Sequence, residues 1–212
     1  MSTDTRRQSE RLEVVATILL AVATVATAWS GYQASRWNGE QAMAYSRASA
    51  LRIESSKADA LANSQSQVDV ATFTQWVDAV ARDEADLATF YSRRFRSEFK
   101  PAVDAWSATS PLTNENAPLT PFAMPEYVLA AREEAEQLEA EAESFSAAGR
   151  ANVQRATNYV LGVVLFASAL FFAGMSTKLG NPRLQRVLLG FGIVVFLATV
   201  TWIATFPISF SV

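Results

Sequence analysis

The side chains best equipped for chemistry crowd into one stretch, Thr27-Ala28-Trp29-Ser30-Gly31-Tyr32-Gln33-Ala34, followed by Trp37 and Gln41. On a helix, Trp29, Gln33, Trp37, Gln41 and Tyr45 fall every four residues and form a ridge of indoles and amides, with Tyr32 and Arg36 beside it. Amides and a guanidinium next to aromatic rings suit a lipid headgroup or a small-ligand groove, with Arg36 as the cation. The same residues also suit plain anchoring at a membrane surface, which is the simpler expectation. The adjoining face, Thr17, Ala21, Thr24, Ala28, Gly31 and Ser35, is nearly smooth and lets another helix pack closely.

Two charged clusters invite a chemical reading. Glu133, Glu134, Glu136, Glu139, Glu141 and Glu143 offer oxygen to a divalent cation, but the Gly-containing loop of a calcium hand is missing and the carboxylates spread around a helix. A solvated helix surface is the expectation, with no metal. Arg93, Arg94, Arg96 and Lys100 form a basic cluster expected to pair with that acidic arm, at little energy per exposed pair.

What is missing narrows the function further. The 212 residues contain no His and no Cys, so there is no imidazole base, thiol nucleophile, disulfide or thiolate metal site. Lys57 and Lys100 are the only lysines apart from Lys178, and neither sits in a motif that would activate a serine. The expectation is a protein that is not an enzyme and carries no cofactor. Of the 18 basic and 21 acidic residues, 12 and 18 lie between Ser35 and Ala156, so the middle of the chain is acidic and nucleic acid is an unsuitable partner.

The elements that must position these residues are helices in two different solvents. Three apolar runs, Val14 to Tyr32, Tyr159 to Met175 and Val187 to Phe206, are each long enough to cross a bilayer. The fold class read from this is all-α, an integral membrane protein with a long helical hairpin or three-helix stalk between spans one and two. Its segments are a cytoplasmic N-terminus (1–13), a first span (14–32), a stalk (33–158) with a Pro-rich strap (107–125), a second span (159–175), a short basic turn (176–186), a third span (187–206) and a C-terminal tail (207–212). Arg6, Arg7, Arg11 and the triplet Ala26-Thr27-Ala28 imitate a cleaved signal, but apolar character continues through Trp29 and Tyr32, so a retained span is expected. Arg6, Arg7, Arg11, Lys178, Arg183 and Arg186 crowd the short flanks of one side, which places that side in the cytoplasm and the stalk outside. No charged residue falls inside the apolar runs, which disfavours a carrier.

Within the stalk, Glu40 to Lys100 holds no Gly or Pro, which favours long helices. Asn63 to Gln67 is the expected end of an outgoing arm that reaches about 50 Å past the membrane at helical rise. Val68 to Trp106 reads as an amphipathic helix, with a restart at Lys100-Pro101. The returning arm shows a seam of alternating three- and four-residue steps: Val128, Ala131, Ala135, Leu138, Ala142, Phe145, Gly149, Asn152, Ala156 and Tyr159. Ala135, Ala142, Gly149 and Ala156 are its close-packing positions. Pro111, Pro118, Pro121 and Pro125 suggest an extended strap, favouring a middle helix that lies along the arms over one that caps their end.

The motif Thr27 to Ala34 with Trp37 and Gln41, together with Asn158-Tyr159-Val160-Leu161 and Val164-Leu165-Phe166-Ala167, resembles an uncharacterised group of bacterial three-span inner-membrane proteins. The resemblance implies a bacterial inner-membrane location and a helical insert, and carries no activity or site residues with it. The function expected is that of a scaffold or protein-interaction module, surrounded by lipid, homo-oligomeric, and open to a membrane or envelope protein partner. The alternatives are an oligomeric ion channel or pore-forming effector, lined by Thr17, Thr24 and Thr27 or by Thr199, Thr201 and Thr205, and an accessory subunit of a larger membrane complex.

Overall fold

The computed structural model describes residues 3–111 and 113–209, of which residues 3–9 by backbone alone. The side chains of Arg6 and Arg7, which support the expected topology, and residues 210–212 of the expected tail lie outside the described residues. The described residues form α1 (Thr3–Ala81), α2 (Ala85–Ser92), α3 (Lys100–Ala108), α4 (Ala130–Ser176) and α5 (Pro182–Ile203), with a single 3-10 turn at Pro121–Ala123 and no strand among them. Helices α1, α4 and α5 each contain a stretch long and apolar enough to cross a membrane.

By packing, the chain falls into two units, residues 1–46 with 145–212 and residues 47–144. In the first unit α1 buries Ala16, Ala23, Ser30, Trp37 and Ala44, a strict seven-residue repeat. Ala16 and Leu19 pack with Ala173 and Leu189, while Ala34 and Trp37 pack with Ala156 and Tyr159, so α1 and α4 run antiparallel in this unit. Small residues set the helix spacing: a Cβ on Gly149 would meet the Tyr45 ring at 2.8 Å, and one on Gly192 of α5 would meet the carbonyl oxygen of Ala169 at 3.3 Å. Large apolar side chains such as Val14, Ile18, Val25, Val164, Phe171, Val187 and Val194 point outward, as they do where the surrounding solvent is hydrocarbon. Asn181 caps α5 by accepting from the Arg183 amide, and Pro182 occupies the first turn.

In the second unit α1 and α4 again run antiparallel. The Ser55 hydroxyl donates to the Ala135 carbonyl at 2.8 Å, Arg132 pairs with Asp59 at 2.6 Å, and Ala62 packs with Leu129 and Ala131. Along the seam of α4, Ala131, Ala135, Ala142, Gly149, Asn152, Ala156 and Tyr159 are buried, each within its own unit, while Leu138 and Phe145 are half-buried and Val128, before the helix, is exposed.

Three expectations change. Helix α1 does not end at Asn63–Gln67; it continues to Ala81 because Asn63 fits the helix, bonding Asp59 one turn back and accepting from Arg132 across the pair. It stops at Asp83, whose φ of 61° lets the Asp83 and Glu84 amides turn back to the Val80 and Ala79 carbonyls, the hydrogen-bond pattern of a Schellman end. The stretch Val68 to Trp106 is therefore divided among the end of α1, α2 and α3; the break between α1 and α2 was not expected, whereas α3 starts at the expected restart, Lys100 with Pro101 in its first turn. The strap is not extended either: Trp106 Nε1 donates to the Pro118 carbonyl at 2.7 Å, folding it back on α3, and Phe122 stacks on Phe99 with ring centroids 5.0 Å apart. Helix α3 meets α1 through Phe73, where Phe99, Val103, Trp106 and Phe122 gather, and α2 buries no residue.

Candidate functional site

The first unit concentrates its polar contacts around Gln33. Helix α5 ends at Ile203, and beyond it Pro207, Ile208 and Ser209 are not helical, so the backbone groups of the buried Ser209 need partners from elsewhere. Gln33, wholly buried on α1, supplies two: its Oε1 accepts from the Ser209 amide at 3.1 Å and its Nε2 donates to the Ser209 carbonyl at 3.4 Å. Tyr159 of α4 donates its hydroxyl to the Pro207 carbonyl at 3.2 Å, and its ring meets Phe206 edge-on. One turn further along α1, Trp37 is buried against Ala34, Ala156 and Tyr159, with the Arg155 guanidinium 4.6 Å over its ring, a cation–π contact. Arg155 also donates to Asn152 Oδ1 at 2.8 Å.

The ridge read from the sequence is thus divided. Gln33 and Trp37 turn inward, Arg36 and Gln41 are half-buried, and Trp29 and Tyr32 face out as a tilted pair 5.9 Å apart. The smooth seam of Thr17, Ala21, Thr24, Ala28, Gly31 and Ser35 is exposed along its whole length, and a Cβ on Gly31 would meet nothing within 4 Å. The hydroxyls considered as pore lining are satisfied by their own helices: Thr17, Thr24 and Thr27 bond the carbonyls of Glu13, Leu20 and Ala23, while Thr199, Thr201 and Thr205 bond those of Val195, Leu197 and Trp202.

The second unit has a polar centre that the motif reading passed over. Asp69 lies on the buried face of α1, its side chain fully excluded from solvent. Its Oδ2 accepts from Arg96 at 2.8 Å and from the Tyr127 hydroxyl at 3.2 Å, while Oδ1 has no partner. Burial outweighs the Arg96 charge and the two hydrogen bonds, and pushes the carboxyl above its ordinary value. Burial likewise raises the Tyr127 phenol, with the Asp69 charge adding to the rise. Arg96 also pairs with Glu98. The basic cluster therefore does not reach the acidic arm: Arg96 serves Asp69, Lys100 pairs with Asp104 one turn on, and Arg94 covers the Phe90 ring at 3.4 Å. Arg52, from outside that cluster, is the residue that bridges Glu139 and Glu143. Shorter reach decides for Lys100 and Arg94, since an i, i+4 partner needs no distant helix to be in place.

A sequence signal for Asp69 existed: a lone carboxylate on a buried stripe between Ala62 and Phe73. Nothing in the spacing points to Ser209 as the partner of Gln33. Among the described residues no three carboxylates converge as cation ligands. The donors and acceptors of both centres are engaged mainly with each other and with backbone, an arrangement that holds segments in place. No protein-family model, curated protein or solved structure matches the chain.

Proposed function

We propose that the protein is a bacterial inner-membrane scaffold, with its N-terminus in the cytoplasm and residues 47–144 as an extracytoplasmic helical stalk that docks other proteins. The observation that carries this reading is the exposed small-residue seam of α1. Among outward-facing Val14, Ile18, Val22 and Val25, the seam gives a neighbouring helix a close approach that no helix among the described residues takes up. In a bilayer such seams drive helix association by close packing, and a second copy of the chain is the partner it fits. Exposed Val70, Val77, Leu87 and Phe90 in the second unit supply apolar surface for a membrane or envelope protein.

The chain's lack of cysteine makes the test clean. Gly31→Cys, on the seam, is expected to form a disulfide-linked dimer in oxidised membranes, whereas Ala23→Cys, buried within the chain, is not. A second cysteine, Asn116→Cys, is expected to react with a membrane-impermeant thiol reagent in intact cells. Equal crosslinking at both α1 positions would overturn the homo-oligomer, and labelling only after lysis would reverse the topology.

A further inference from the structure

Ser30 is wholly buried, yet its hydroxyl has no hydrogen-bond partner. Thr17, Thr24, Thr27, Ser168, Thr199 and Thr201 in the same unit each turn back to a carbonyl of their own helix, so the free hydroxyl of Ser30 is an exception among them. It borders a cavity of about 240 Å³ that Ala26, Trp29, Phe166, Val200 and Ile203 also line. The walls are overwhelmingly apolar, and such a space takes an apolar guest more readily than water, which needs two to four polar partners. Gly162 keeps the wall thin at Ser30: a Cβ there would lie 2.3 Å from Ile203 Cδ1 and 3.6 Å from the Ser30 hydroxyl.

Depth identifies the guest. Trp29 and Tyr32, next to Ser30 in sequence and exposed, are the residue types that settle where headgroups meet acyl chains. A phospholipid presents at that level an apolar chain beginning at an ester carbonyl, an acceptor with no donor of its own. We propose that this cavity binds one acyl chain of a diacyl phospholipid, with the Ser30 hydroxyl donating to its ester carbonyl. The site rests on the reading of the chain as a membrane protein.

The test uses the full chain extracted from membranes in mild detergent and analysed intact by native mass spectrometry. The unmodified chain is expected to carry one phospholipid through extraction. Ser30→Ala, which removes only an unpaired hydroxyl and leaves the fold intact, is expected to weaken retention about three- to tenfold, the worth of one hydrogen bond. Ala26→Phe, which fills the cavity, is expected to abolish it. A chain that retains no phospholipid, a bound mass that is detergent or free fatty acid, or equal retention by all three proteins would overturn the site while leaving the membrane reading untouched. Recovery of the chain from the soluble fraction would overturn both.

Discussion

Gln33 holds Ser209 by both of its backbone groups, donating to its carbonyl and accepting from its amide across 176 residues of sequence. A side-chain amide here stands in for a neighbouring peptide, so Ser209 is buried with its backbone amide and carbonyl both hydrogen-bonded. Gln33→Leu removes the two hydrogen bonds between Gln33 and Ser209, at a cost of about 0.5–1.5 kcal/mol each. Release of the stretch after Pro207 is the expected outcome, read as loss of amide protection at Ser209 in hydrogen exchange. Tyr159→Phe removes one hydrogen bond to Pro207 and is expected to loosen the same stretch less. Unchanged protection in Gln33→Leu would show that the grip is not what holds it.

Glycines in the first unit divide by what stands opposite them. At Gly149 the obstacle is the half-exposed ring of Tyr45, the far end of a side chain that is able to swing. Gly149→Ala is expected to cost little, with the roughly 1 kcal/mol gained in helix propensity offsetting the displaced ring. At Gly192 the nearest atom is backbone, the Ala169 carbonyl oxygen. Gly192→Leu is expected to force α4 and α5 apart and to cost about 1–3 kcal/mol or more. Thermal unfolding in detergent ranks the two, and a larger loss for Gly149→Ala would contradict the packing.

Asp69 has its carboxyl raised by burial, with Arg96, Glu98 and Tyr127 as the ionisable groups around it. The folded state thus holds the Asp69 proton more tightly than the unfolded chain. That contribution to stability is complete below the ordinary value of 3.8 and is lost as pH rises through the higher folded-state value. Asp69→Asn keeps the neutral shape and is expected to flatten this loss, seen in denaturant unfolding of the protein as pH is raised across that window. An unchanged slope in the variant would remove Asp69 from the account.

Asp83 ends α1 with a left-handed backbone that glycine adopts more readily. Asp83→Gly is expected to stabilise the second unit by roughly 0.5–1 kcal/mol by relieving that conformation. Destabilisation would show that the Asp83 side chain contributes more than the turn costs.

The all-helical class was readable from the long stretches without Gly or Pro, and along α4 the small side chains Ala131, Ala135, Ala142, Gly149 and Ala156 recur at three- and four-residue steps and are buried. The end of α1 was hidden because Asp occupies the position where glycine usually marks a helix stop, leaving Asn63 as the more conspicuous and mistaken break. Gln33 stood out as an amide between two indoles, yet spacing within one helix carries no information about Ser209, which depends on where α5 delivers the chain. The strap misled through its prolines: they do favour extension, but Trp106 and Phe122 close the segment onto α3 with contacts that composition does not reveal.

The grip on Ser209 also has an order in time. A ribosome working at about 5–20 residues per second reaches Ser209 roughly 9 to 35 s after Gln33, given their separation of 176 residues. Throughout that wait the amide belongs to a newborn helix whose lock has not yet been synthesised. Until then the Gln33 amide must find other hydrogen-bond partners, and this part of α1 settles into its final seat only after α5 has been made.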